Sequence, residues 1–133
     1  MRSSFCSACL LFAVACLAFI GCSNRPRRYP VSGTVTYAGQ PLPAGVIFFD
    51  PDVTKQNKGP QGYALIKDGR YDTAASGGKG VVGGPYLVRI DGFDGKPGRE
   101  LPMGNALFTH FQQLINLPEA ASTQDFDVPA KKR

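Results

Sequence analysis

Glycine and proline interrupt this chain too often for a long helix to fit inside it. The 133 residues include 16 glycines and 11 prolines, 27 positions together. In a helix interior Gly costs about 1 kcal/mol and Pro about 3 kcal/mol relative to Ala. Between these interruptions lie short runs of β-branched and aromatic residues, the pattern of a turn-rich, all-β domain. The length suits one domain rather than two. Glycine shows no period of three, which excludes a collagen-like fibre.

The runs can be read one at a time. Val31, Gly33, Val35 and Tyr37 alternate with Ser32, Thr34 and Thr36, the period of a half-buried strand. Val46-Ile47-Phe48-Phe49 is a continuous apolar run, read as a strand covered on both faces, with Phe48 in the core. Residues 50–62 form a polar loop. Lys67-Asp68-Gly69 separates residues 63–66 from 70–73, and Asp-Gly between two β runs is a strong hairpin signal. Residues 74–84 hold five glycines but open onto another strand, with no Lys-Ser or Lys-Thr pair after them. A phosphate cradle needs a helix there, so the segment is read as a flexible connection. In the strand that follows, Tyr86, Val88 and Ile90 face one way, and Leu87, Arg89 and Asp91 the other. Residues 105–117 fit either an amphipathic helix, through Leu107, Phe108, Phe111, Leu114 and Ile115, or a strand ending at Pro118. The last run places Phe126 and Val128 on one face and Asp125 and Asp127 on the other, and stops at Pro129 as an edge or terminal strand does.

The first 28 residues differ from the rest. Residues 5–20 carry no charge, follow Arg2, and end at Gly21-Cys22. The run is shorter than the roughly 20 residues of a membrane span and reads as a signal peptide. Phe19-Ile20-Gly21-Cys22 resembles the lipobox of bacterial lipoproteins. The resemblance implies cleavage after residue 21 and acylation of Cys22; the alternative is an ordinary secretory signal cut near the same place. Cys6, Cys9 and Cys16 fall in the removed segment, so the expected mature domain has neither disulfide nor thiol site. In that family an Asp after the Cys retains the protein at the inner membrane. Ser23 therefore implies the outer membrane; the expected location is the cell envelope, lipid-anchored, at the periplasmic face of that membrane, a face that Ser23 itself does not decide.

The net charge of +5 is unevenly spread. Of the 15 Lys and Arg, Arg2 lies in the leader, Arg25, Arg27 and Arg28 in a linker (22–28), and Lys131, Lys132 and Arg133 in a tail (130–133). That leaves eight bases against ten acids between them. A mildly acidic body with basic ends does not read as a nucleic-acid binder, which gathers Lys and Arg on one face. Both basic clusters are read as solvated, mobile ends; attraction of Arg25, Arg27 and Arg28 to anionic headgroups is the alternative.

The order of the body's pieces resembles a known group. Val31-Ser-Gly-Thr-Val-Thr-Tyr37, Gly39-Gln-Pro-Leu-Pro43 and Val46-Ile-Phe-Phe49 are similar to the opening of carboxypeptidase regulatory-like domains, also called transthyretin-like or prealbumin-like. Lys67-Asp-Gly-Arg-Tyr71, Gly83-Gly-Pro-Tyr-Leu-Val88 and Gln124-Asp-Phe-Asp-Val-Pro129 match later pieces. The resemblance implies a seven-stranded Greek-key β-sandwich over residues 29–129. It also implies a strand at 112–117 that pairs with 123–128.

Catalytic patterns are sparse. One His excludes any site that needs two. The transthyretin-like enzymes that hydrolyse 5-hydroxyisourate use several His and a C-terminal Tyr-Arg-Gly-Ser; this chain ends Ala130-Lys-Lys-Arg133. Zinc carboxypeptidases carry His-x-x-Glu, whereas His110 precedes Phe111-Gln112-Gln113. A Ser-His-Asp triad would need His110 as base, but no Gly-x-Ser-x-Gly surrounds a Ser. His110 is therefore read as a loop or sandwich-edge residue. Asp50 and Asp52, with Asp91 and Asp94, are candidate calcium ligands on loops, but neither stretch follows calcium-loop spacing, and turn chemistry is the preferred reading of both. The expected function is a lipid-anchored envelope module without catalytic activity or cofactor, binding the membrane through its lipid and an envelope protein or glycan through loops or edge strands. A calcium- or carbohydrate-binding domain, or a small hydrolase on this fold, is the alternative.

Overall fold

A computed structural model describes residue 21 and residues 24–132. Residues 1–20, Cys22, Ser23 and Arg133 lie outside it, and with them the expected cleavage and acylation site. Among the described residues there are nine strands and one 3-10 turn, Val53–Lys55. The strands are β1 (Val31–Tyr37), β2 (Gln40–Pro41), β3 (Ala44–Pro51), β4 (Gly62–Lys67), β5 (Arg70–Asp72), β6 (Gly84–Phe93), β7 (Ala106–Leu117), β8 (Ser122–Thr123) and β9 (Phe126–Val128). The two beyond the expected seven, β2 and β8, are two residues each.

Hydrogen bonding runs in the order β2-β1-β5-β4-β3-β6-β7, with β8 and β9 added along β1. Every pairing on the main path is antiparallel; β8 and β9 lie parallel to β1. The first half of β1 pairs with β5, through Ser32, Gly33 and Thr34, and the second half with β9. A Cβ at Gly33 would collide with the Gln124 carbonyl, so a side chain there would block the passage of the C-terminal segment across β1. Asp125 and Asp127 fasten that segment by accepting bonds from the Thr34 amide and hydroxyl and from the Thr36 hydroxyl.

The sheet curls so that its two ends share one core. Ile47 and Phe49 of β3, Ala64 and Ile66 of β4, and Tyr86, Val88 and Ile90 of β6 meet Val31 and Val35 of β1 and Phe126 and Val128 of β9. Tyr37 of β1 packs on Phe108 of β7, ring centroids 5.0 Å apart, where the first and last long strands approach each other. Two polar groups drawn into this core, on Tyr71 and Thr73, are bonded. Tyr71 donates to the Gln124 carbonyl at 2.7 Å, and burial together with the charge of Asp125 holds its phenol above the usual range. Thr73 accepts from the Val31 amide at 2.8 Å.

Two expectations about the strands are corrected. The run 46–49 alternates rather than being covered on both faces: Ile47 and Phe49 are buried, while Phe48 points outward with its ring under Arg89. Residues 106–117 form a strand, but its partner is β6; the final run pairs with β1 instead. β1 and β9 run side by side in the same direction, so the vacancy that 123–128 was expected to fill beside β7 is left open.

The hairpin at Asp68-Gly69 forms as its sequence demands. Both residues have positive φ, 49° and 75°, and Lys67 pairs with Arg70. Two segments read as mobile are instead held. The glycine-rich connection is stitched by bridges from Tyr29 to Val81 and from Tyr63 to Lys79, and Val81 is fully buried. In the basic linker, Arg28 donates to the carbonyls of Gln61 (3.0 Å) and Gly80 (2.8 Å). No helix among the described residues is long and apolar enough to cross a membrane.

Candidate binding surface

The last strand of the main path is the longest. β7 has 12 residues, pairs with β6 along one side only, and ends the sheet. A free edge of this length exposes a row of backbone donors and acceptors to any extended segment, and sequences usually blunt such edges with bulges or charges. Blunting here is confined to the first half of β7. Ile90 pairs with Phe111 and Gly92 with Phe108, so Thr109 and His110 together face Asp91. His110 adopts the left-handed region, φ 60°, and its amide donates to the Asp91 carboxylate at 2.7 Å. A second register shift falls between Gly92 and Phe93. From Phe111 to Leu117 the register is continuous, and Leu114 is 61% exposed on the outer face.

Beside the bulged half lies a groove of about 470 Å³. Leu107, Phe108 and Phe111 form one wall, and Val128, Pro129 and Lys131 the other. β7 and β9 face each other across it without a hydrogen-bonded pairing, so it is the open seam of the curled sheet. Apolar walls with two unpaired backbone edges match the geometry of strand addition, in which main-chain bonds give affinity and alternate side-chain pockets give selectivity.

On the outer face, a compact charged group covers the middle of the sheet. Phe48 lies opposite Tyr63 on β4 and Arg89 on β6. The Arg89 guanidinium sits 4.8 Å from the Phe48 ring centroid and bonds Asp50 through Nε. Gln61 also donates to Asp50. Partial burial pushes the Asp50 carboxyl up, but the bonds from Arg89 and Gln61 and the Arg89 charge outweigh it and hold the group below its usual range. Arg89 is correspondingly raised, chiefly by its bond to Asp50.

The four candidate calcium ligands do not converge. Asp50 is taken by Arg89 and Gln61. Asp52 caps the 3-10 turn, accepting from the Thr54 amide and hydroxyl, which lowers its carboxyl. Asp91 accepts from His110 on the outer face. Asp94 accepts from the amides of Lys96 and Asn105 and from the Asn105 side chain, and is likewise lowered. Asp52, Asp91 and Asp94 each close a turn or a bulge, the turn chemistry that competed with the calcium reading, whereas Asp50 is held in an ion pair on the sheet face. Among the described residues no three His, Cys, Asp or Glu side chains are grouped to hold a metal ion.

His110 lies on an edge strand with an exposed side chain, and among the described residues no hydrogen bond joins its ring to a serine or a carboxylate. What it supplies is backbone geometry. Asn57 is an organising residue that the sequence did not single out. It is buried, donates to the Pro85 carbonyl at 2.7 Å, accepts from the Gly59 amide, and closes the loop between β3 and β4. Its only signal was a lone Asn in a polar loop, indistinguishable from a solvated one. No family model, curated protein or solved structure matches this chain.

Proposed function

We propose that this protein is a lipid-anchored module of the cell envelope that holds a partner through the open edge and seam at β7, and that it performs no catalysis. The observation that supports this reading most is β7 itself: a long edge strand whose second half keeps a continuous, unblunted register, with an apolar groove beside its first half that ends at β9. An extended segment of an envelope protein matches that groove in chemistry, offering backbone groups to the edge and apolar side chains to Leu107, Phe108 and Phe111. The anchor rests on the lipobox-like Phe19-Ile20-Gly21-Cys22, with acylation at Cys22 and the outer membrane implied by Ser23. The curl of the sheet is read as a Greek-key sandwich of transthyretin-like type. The order of the pieces and the change of partners halfway along β1 support that.

A photo-crosslinking side chain placed at Gln112 or Leu114 tests the edge in intact envelopes. The expected result is an adduct with an envelope polypeptide from these positions and none from a control at Asp72 on β5. Equal adducts from all three, or none from β7, would overturn the edge as the binding surface.

A further inference from the structure

The two termini leave the domain at opposite ends. β1 and β9 are parallel, so the chain enters beside Val31 and leaves beyond Val128 at the other end. Strand directions place the loops at 52–61, 73–83 and 118–121 at the entry end, together with the linker. Six of the described bases lie at that end and six more, Lys67, Arg70, Lys96, Arg99, Lys131 and Lys132, at the other; what sets the entry end apart is that its bases gather around one cleft. A cleft of about 680 Å³ is lined by Arg25, Arg28, Lys58 and Lys79 with Gly59 and Pro60, and by no acid. A neighbouring cavity of about 460 Å³ adds Arg27 and Lys55, with Glu119 on its wall. Asp52, the other acid of these loops, is committed to its turn. Among the described residues the only ion pair is Arg89–Asp50 on the outer face; of the six cations Lys55 has the charge of Asp52 nearby, and Arg27 and Lys55 share a cavity with Glu119, while the four that line the cleft have no acid on its wall.

The cations are also pre-arranged. Arg28 is fixed by its two carbonyl bonds, the Arg27 guanidinium lies 5.6 Å from the Tyr29 ring centroid, and the Lys79 ammonium 5.8 Å from that of Tyr63. The bridge between Tyr29 and Val81 ties the linker to the loop that carries Lys79. A body with more acids than bases thus presents a cationic cleft at the end through which its N-terminal segment departs.

We propose that this end is a docking surface for the anionic phospholipid headgroups of the membrane from which the chain emerges, and that it holds the domain upright. It rests on the anchored reading only for its location; the recognition itself needs no acyl chain. The β7–β9 groove lies at the far end, beside the C-terminal tail. Docking the basic end therefore points the groove away from the bilayer.

The chain contains no Trp, so a single introduced indole reports position cleanly. Ser76→Trp places it at the basic end and Leu101→Trp at the far end. Protein purified from its envelope is mixed with dansyl-headgroup vesicles of phosphatidylcholine alone, or with about a third phosphatidylglycerol. Energy transfer from Ser76→Trp should rise on adding phosphatidylglycerol and fall in high salt, because exposed charges are screened within a Debye length. Transfer from Leu101→Trp should stay low. Each cation near an anionic surface is worth about a fivefold factor in association, so Arg25→Gln/Lys58→Gln/Lys79→Gln should lose about a hundredfold at low salt. Binding to phosphatidylcholine that is unchanged by phosphatidylglycerol would leave the anchor standing and overturn the proposal. Binding only to the mixed vesicles would support the proposal and sink the anchor. Release from mixed vesicles by inorganic phosphate, but not by chloride at equal ionic strength, would show a free-phosphate site and also overturn it.

Discussion

Gly69 is constrained twice. Its φ of 75° lies in the left-handed region that suits glycine, and a Cβ there would come within 2.7 Å of the Pro41 side chain. Gly69→Val should therefore lower stability by about 1–3 kcal/mol, read as a fall in Tm, with membrane fractionation unchanged. Phe48 and Phe49 are adjacent in sequence and opposite in environment. Phe49→Ala empties a fully buried site and should cost about 3–5 kcal/mol in chemical denaturation. Phe48→Ala should cost clearly less, because its ring is half-exposed beneath Arg89; equal costs would contradict the strand's assigned faces. Period two cannot be read where four apolar residues follow one another, which is why the run 46–49 concealed its own alternation. Asp50 gives a pH dependence with a definite sign. Its carboxyl is held below the usual range when folded, so its contribution is full above the unfolded value and lost as pH falls through the folded one. Tm of the wild type should drop on acidification through the carboxylate range more than that of Asp50→Asn.

At the scale of elements, β7 explains why residues 105–117 read equally well as helix or strand. Phe108 and Phe111 are three apart, which in a regular strand puts them on opposite faces. The extra residue at Thr109-His110 turns both inward, onto the core. A bulge thus produces the spacing of a helical face, and only the partner strand distinguishes the two. The hairpin at Asp68-Gly69 was legible because its signal is local; the pairing of β8 and β9 with β1 was not, because nothing local in residues 122–128 names a partner. His110 serves the bulge through its backbone, so His110→Gly should preserve the fold, whereas His110→Val should destabilise it, because a β-branched residue resists positive φ. Far-UV circular dichroism and thermal melts of both variants check this. A collapse of His110→Gly would mean that its side chain, not its backbone, holds the edge.

The whole molecule is organised along the axis set by β1 and β9, with a cationic cleft where the chain enters and an apolar seam where it leaves. The all-β class followed from the density of Gly and Pro. The candidate surface did not, because an open edge is a property of which strand comes last in the sheet, and sheet order is decided by contacts far apart in sequence. The basic linker was visible as charge, but its attachment through Arg28 to Gln61 and Gly80 depends on two loops that fold beside it. The envelope location proposed for both surfaces begins with the lipid. The most direct measurement is incorporation of labelled palmitate into the wild type and Cys22→Ala, followed by membrane fractionation. Label in the wild type with membrane recovery, and none in Cys22→Ala, is the predicted result; equal labelling of both, or an unlabelled wild type, would contradict it.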